Sequence, residues 1–226
     1  MKRRKVILDG VSVVAKEYSK EIKDRNIAIA LILFLIMIMR FLIGRDIMKN
    51  NAEDFKAWII IFIEIMISIL IWIYLIKIEE IDIKSLFRVE NIKYILFGYI
   101  GLMVISGIFI FIGRKIYGEL SANTQFLQQE KISLSGIALF EFSIYGTILG
   151  PIIEEFIFRY VMIGNIGKMK NISLIISSII FSYAHGTENI LYWLMYFIAG
   201  LIFALIYKKT ERIDICILIH ILNNAF

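Results

Sequence analysis

Residues 57–76 read AWIIIFIEIMISILIWIYLI, and Glu64 is the only side chain among them that is charged at neutral pH. Twenty residues of helix rise about 30 Å, the thickness of a bilayer's hydrocarbon core, so the stretch predicts a transmembrane helix. A membrane strand would alternate lipid-facing and lumen-facing residues. Here the positions between the isoleucines are as apolar as the isoleucines themselves, so a barrel is not the reading.

The rest of the chain follows the same pattern. It is 59% hydrophobic with a mean hydropathy of +0.78 and a single proline, too apolar for an ordinary water-soluble domain. Further apolar runs cover 27–43, 94–112, 136–163, 172–185, 190–207 and 213–226. Together they predict an all-α integral membrane protein, a bundle of about seven transmembrane helices. The runs at 172–185 and 213–226 are short for a bilayer and call for tilt, local thinning or shelter among neighbours. Connectors are short and polar, with neither a linker nor an internal repeat, so residues 27–226 form one helical domain.

Residues 1–26 begin MKRRK and remain strongly basic. Their partly helical apolar spacing suits a cytoplasmic, amphipathic segment on an anionic surface. No short apolar core with a small-residue cleavage site follows the basic start, so the first span is expected to stay uncleaved. With the N-terminus inside, the inner segments hold eight, four, two and three Lys and Arg, against three, three and none outside. The positive-inside rule therefore gives a multi-pass protein of the cell membrane with a cytoplasmic N-terminus. The net charge of +5 is read as membrane topology, and nucleic acid is not an expected partner. Cys216 is the only cysteine, which excludes a disulfide within the chain.

Ionisable groups inside a span cost about 2.5–3.5 kcal/mol each on insertion scales, so those retained point to function. They concentrate in 136–226. In GPIIEEFIFRY, Glu154, Glu155 and Arg159 follow Pro151 directly. Glu155 and Arg159 stand i,i+4 in the favourable order for an ion pair, whereas Glu154 points about 100° away. Arg159 is thus expected to neutralise Glu155 and leave Glu154 free to act as a base. The chain's two histidines lie in other apolar runs, His185 one turn after Phe181 and His220 one turn before Asn224. Three polar helix faces in lipid must turn toward one another or toward water. Converged, they supply a base for water, donors for an oxyanion and a proton for a leaving amine, the requirements of amide hydrolysis.

The series EExxxR, FxxxH and HxxxN on successive predicted spans resembles the CPBP family, which groups CAAX-type prenyl protein proteases with bacteriocin-processing and self-immunity proteins. All three motifs are complete, and they cover about the C-terminal third of the chain. The resemblance implies an intramembrane endopeptidase cutting a membrane-associated protein or peptide near the cytoplasmic face. It assigns water activation to Glu154 with His185, and oxyanion stabilisation to His220 with Asn224. The chain given stops two residues after Asn224, so Asn224 is expected on the last turn of its helix.

Other readings remain beside this one. Two glutamates and two histidines also suit zinc, which would activate water, although the spacing is not HExxH. Glu155 and Arg159 could be a purely structural pair. The cluster could serve a non-proteolytic bacteriocin-immunity or scaffold protein, or a proton-coupled transporter, for which no pair of related broken helices is visible. Cys216, one turn before His220, reads as a small buried hydrophobe. Arg40 is expected to snorkel to the headgroups, and Glu141, about 20 Å from the motif, to lie outside the site. Glu64 is read as facing water or another helix. Gly146 and Gly150 form a GxxxG step, expected to pack a helix closely or to line a groove for an extended substrate.

Overall fold

The structure is a computed structural model and describes residues 2–39, 54–79, 83–134, 136–187 and 189–226. Eight helices account for nearly all of them: α1 Lys2–Met39, α2 Asp54–Glu79, α3 Val89–Tyr117, α4 Ala122–Ser133, α5 Gly136–Ile166, α6 Asn171–Ala184, α7 Ile190–Thr210 and α8 Ile213–Ala225. No strand occurs among the described residues. Each of the seven predicted spans coincides with a helix or, for the first, with part of one. The end of that first span, Arg40 included, lies outside the described residues. The basic N-terminal segment and the first span form one helix without a break at Asn26.

Four described stretches are long and apolar enough to cross a bilayer: Trp58–Lys77, Val89–Tyr117, Gly136–Ile166 and Ile190–Thr210. Helices α6 and α8, of 14 and 13 residues, rise only about 20 Å each and rely on their neighbours for shelter. Outward-facing Leu31, Phe62, Leu70, Phe97 and Phe111 form the kind of apolar exterior that lipid requires. α4 was not expected. Ser121 caps it by accepting the backbone N–H of Thr124 at 3.1 Å, satisfying one donor of the first turn.

Hydrogen bonds divide the bundle into two ends. At one, Asn26 is held by Tyr74 and by Asn165, Arg212 pairs with Asp214 and reaches Ser85, and Lys208 bonds Asn171. We call this the basic end, because Lys168, Lys170, Lys208, Lys209 and Arg212 lie there. At the other, Tyr192 donates to the Glu119 carbonyl at 2.6 Å, and Asn123 donates to the Tyr196 hydroxyl at 2.9 Å. The second end joins α4 and the α3–α4 turn to the start of α7. Between the ends, α6 and α7 pack closely at Gly200, where a methyl group would lie 3.1 Å from Cα of Ser178. This is the small-residue contact by which membrane helices gain packing energy.

Helix α5 is not uniformly wound. Tyr145–Leu149 and Phe156–Ile166 are π-helical, and between them Gly150–Glu155 is α-helical and carries both glutamates. Wide turns of this kind break the regular i→i−4 ladder and are frequent at functional sites.

Candidate active site

The site grows from α5. Glu155 and Arg159 are both fully buried, and Oε2 of the carboxylate lies 3.0 Å from Nε of the guanidinium. Nη2 donates to Oε1 at 3.4 Å. The expected i,i+4 pair is therefore present. Arg159 also sits among Phe181, Phe203 and Phe158, 4.7, 5.2 and 5.8 Å from their ring centroids, and donates to Ser177 at 3.4 Å. Three aromatic faces stabilise a cation that lipid would not. Phe181 of the FxxxH motif thus has a physical task, and Phe203 and Ser177 join it without having been singled out in the sequence.

His220 reaches across from α8. Its Nδ1 lies 2.9 Å from Oε1 of Glu155. A carboxylate can only accept, so Nδ1 carries the proton and donates it. On the other side of the ring, Nε2 stands 3.9 Å from Oε2 of Glu154. That is too long for a direct hydrogen bond, yet one water about 2.8 Å from each atom fits such a separation. Glu154 is the more open glutamate, its side chain 19% exposed against 0% for Glu155. Its buried Oε2 has no hydrogen-bond partner. The two neighbouring carboxylates therefore occupy different environments.

His185 follows the last residue of α6. Its Nδ1 lies 2.8 Å from the Phe181 carbonyl. Because that carbonyl accepts, Nδ1 donates and Nε2 is the nitrogen left with a lone pair. The ring is held between Tyr196, stacked at 4.3 Å and 23°, and Phe181 at 4.4 Å. Phe181 lies 6.1 Å from His220 as well, so the two imidazoles flank one phenylalanine. His185 forms no ion pair with Glu154. The imidazole drawn against both carboxylates is that of His220.

Asn224 lies on the last turn of α8, exposed, and its Nδ2 donates to the Gly146 carbonyl at 2.9 Å. One of its two amide hydrogens is thereby used, and the tie fixes α8 to the wide turn of α5. Gly146 is exposed, and a methyl group there would meet nothing within 4 Å. Close packing is therefore not its role, whereas Gly150, the other glycine of the step, is buried, and a methyl group there would lie 3.0 Å from the Tyr145 carbonyl oxygen. Cys216 is fully buried, with Sγ 3.6 Å from the Phe203 carbonyl; its contact is backbone, not imidazole. We expect Cys216→Ala to keep full turnover, and thiol-blocking reagents to leave the wild type active in a peptide-cleavage assay. Glu141 is 1% and Glu64 6% exposed, so both are buried within the bundle.

Zinc would have to draw on the donors that the ion pair leaves free. Glu155 and Nδ1 of His220 bond each other and, through Arg159, a cation, which leaves Glu154, Nε2 of His220 and Nε2 of His185. Among the described residues no group of three or more His, Cys, Asp or Glu side chains is arranged to hold a metal ion.

Tyr196 and Asn123 were also absent from the sequence reading, because only the tertiary fold brings them to His185. An aromatic stacking partner contributes about 0.5–1.5 kcal/mol. Tyr196→Ala is accordingly expected to lower kcat by up to about tenfold with KM little changed, and Tyr196→Phe to retain most activity. Steady-state kinetics on a cleaved peptide would check this split.

Residues 136–226 match the family described as type II CAAX prenyl endopeptidase Rce1-like. The chain is 31% identical over 161 residues to the membrane-embedded CAAX protease MroQ of Staphylococcus aureus (strain USA300), covering 65% of this chain and 60% of that protein. It is 36% identical over 85 residues to the putative membrane peptidase YdiL of Bacillus subtilis (strain 168), covering 37% and 34%. The chain thus spans about three fifths of the first relative and a third of the second. No solved structure matches it. Residues 136–226, which hold all three motifs and both histidines, are thus similar to the Rce1-like CAAX prenyl endopeptidase family.

Proposed function

We propose that this chain is a membrane-embedded endopeptidase in which Glu154 activates water without a metal. The observation that carries the reading is the buried Oε2 of Glu154, without a hydrogen-bond partner and 3.9 Å from Nε2 of His220. A buried, unpartnered carboxylate oxygen is costly in a merely structural role. A water molecule supplies the missing partner and is also the nucleophile.

In this mechanism Glu154 accepts the proton of the water as its oxygen attacks the scissile carbonyl, and then passes that proton to the leaving amine. His185, its Nδ1 fixed by the Phe181 carbonyl, presents Nε2 as the second acceptor for the water. Glu154, Glu155 and Arg159 together carry one net negative charge, and a proton at Nε2 of His220 makes the cluster neutral. That N–H, with the free amide hydrogen of Asn224, is the donor pair for the oxyanion. Glu155 and Arg159 act through His220 by fixing its ring.

The substrate is a protein or peptide at the membrane, and the basic end, with the N-terminus, lies in the cytoplasm. The test is to incubate purified chain in lipid nanodiscs with a library of membrane peptides in ¹⁸O-water. Cleavage that places solvent oxygen in the new carboxyl group supports hydrolysis. No cleavage by well-folded protein would favour an immunity or scaffold role, and one tightly bound metal per active chain would overturn the metal-free chemistry.

A further inference from the structure

The resemblance led to the expectation of a cut near the cytoplasmic face, but burial around the site runs the other way. Toward the basic end the cluster is sealed. Ile163, Ala204 and Ile215 are completely buried there, and Leu174, Tyr207, Ile213 and Ile217 are at most 4% exposed. Beyond this plug lie the Asn26–Tyr74–Asn165 and Arg212–Asp214–Ser85 networks, which tie α1, α2, α5, α8 and the turn before α3 together. A polypeptide arriving from that side would have to break both.

Toward the opposite end the covering thins. His185, Thr187 and Tyr196 are only partly buried, and Gly146 and Gly186 are exposed. Tyr196, which stacks on His185, is six residues from the start of α7, a rise of about 9 Å, and fourteen from its end, about 21 Å. His185 is thus the member of the cluster nearest the end poor in Lys and Arg. Two buried polar atoms at this end, Oγ1 of Thr187 and Nε1 of Trp193, lack hydrogen-bond partners. They are donors that a peptide main chain can satisfy. Helix α4 forms part of the rim through the bond from Asn123 to Tyr196.

We infer that substrate enters from the end opposite the basic connectors. With the basic end cytoplasmic, that is the outer face of the membrane. The inference rests on the proposed protease reading and narrows it: the substrate class is a polypeptide segment exposed at, or translocated to, the outer side, not the cytosolic tail of a membrane-anchored protein.

Thiol labelling tests the entrance independently of turnover. Cys216 is first replaced by alanine, and single cysteines are introduced as His185→Cys in the site and Lys170→Cys at the basic end. A membrane-impermeant maleimide is applied to intact cells and to inverted vesicles, with a small charged methanethiosulfonate as a second reagent. Monodisperse elution of each variant establishes that it has folded. His185→Cys is expected to react at least tenfold faster in intact cells, and Lys170→Cys only in inverted vesicles. Reaction of both from the same side overturns the inference, as does protection of His185→Cys from both reagents on both sides. Outside labelling of His185→Cys together with a wild type that cleaves nothing would keep the entrance and reject the protease reading.

Discussion

Glu154→Gln is expected to lower kcat/KM for peptide cleavage by about three orders of magnitude, within the range that a general base contributes, while leaving the protein folded. The substitution is nearly isosteric and the side chain is partly exposed, so the packing has little to lose. What it removes is the proton acceptor. A glutamine amide can still hold a water but cannot take its proton, and KM should therefore change far less than kcat. Equal turnover by wild type and Glu154→Gln in the nanodisc assay would sink the glutamate mechanism. The double variant Glu154→Gln, His185→Gln adds a check. Two groups acting on one water are not additive, so the pair should be barely slower than the slower single variant.

Much of the architecture was legible because lipid imposes a simple rule on sequence. A run such as 57–76 has one stable outcome in a bilayer, a helix, and all seven runs are helical over their described residues. Helix α4 obeys no such rule. Its twelve residues, ANTQFLQQEKIS, are polar and short, and its cap at Ser121 reads as an ordinary turn until the fold is known. The wide turns of α5 were equally hidden, since apolar composition specifies that a helix forms and says little about its winding.

The candidate site divides along the same line between local and tertiary information. Glu155 and Arg159 were paired correctly because an i,i+4 contact is fixed by the helix itself. Their partner His220 is 65 residues from Glu155, and no spacing rule reaches that far. Sequence and resemblance set His185 beside Glu154; the structure adds His220 between the two glutamates and holds His185 by Tyr196 and the Phe181 carbonyl. Gly146 shows the converse case. Its GxxxG spacing left close packing and a groove both open; its flank is open and its carbonyl anchors Asn224.

The second large effect concerns stability. Arg159→Ala should destabilise the protein by about 3–5 kcal/mol, because it strands the fully buried Glu155 carboxylate without its cation. Glu155→Gln should cost a similar amount, by leaving the guanidinium with three aromatic faces but no anion. Thermal unfolding in detergent, followed by size-exclusion fluorescence, would measure both. The pair as a whole is another matter. A buried ion pair replaced by neutral groups of similar volume is often tolerated, since the desolvation cost disappears with the attraction. The double variant Glu155→Gln, Arg159→Met should therefore recover most of the lost stability. Its turnover should stay low, because a neutral glutamine at 155 can still accept the Nδ1–H of His220 but no longer balances a proton on that ring. A stable and inactive double variant would separate the two tasks of the pair: holding the helix requires only that the site be neutral, whereas catalysis requires the charge. Full activity in that variant would instead mean that Glu155 and Arg159 are a structural pair, and that His220 is oriented by shape alone.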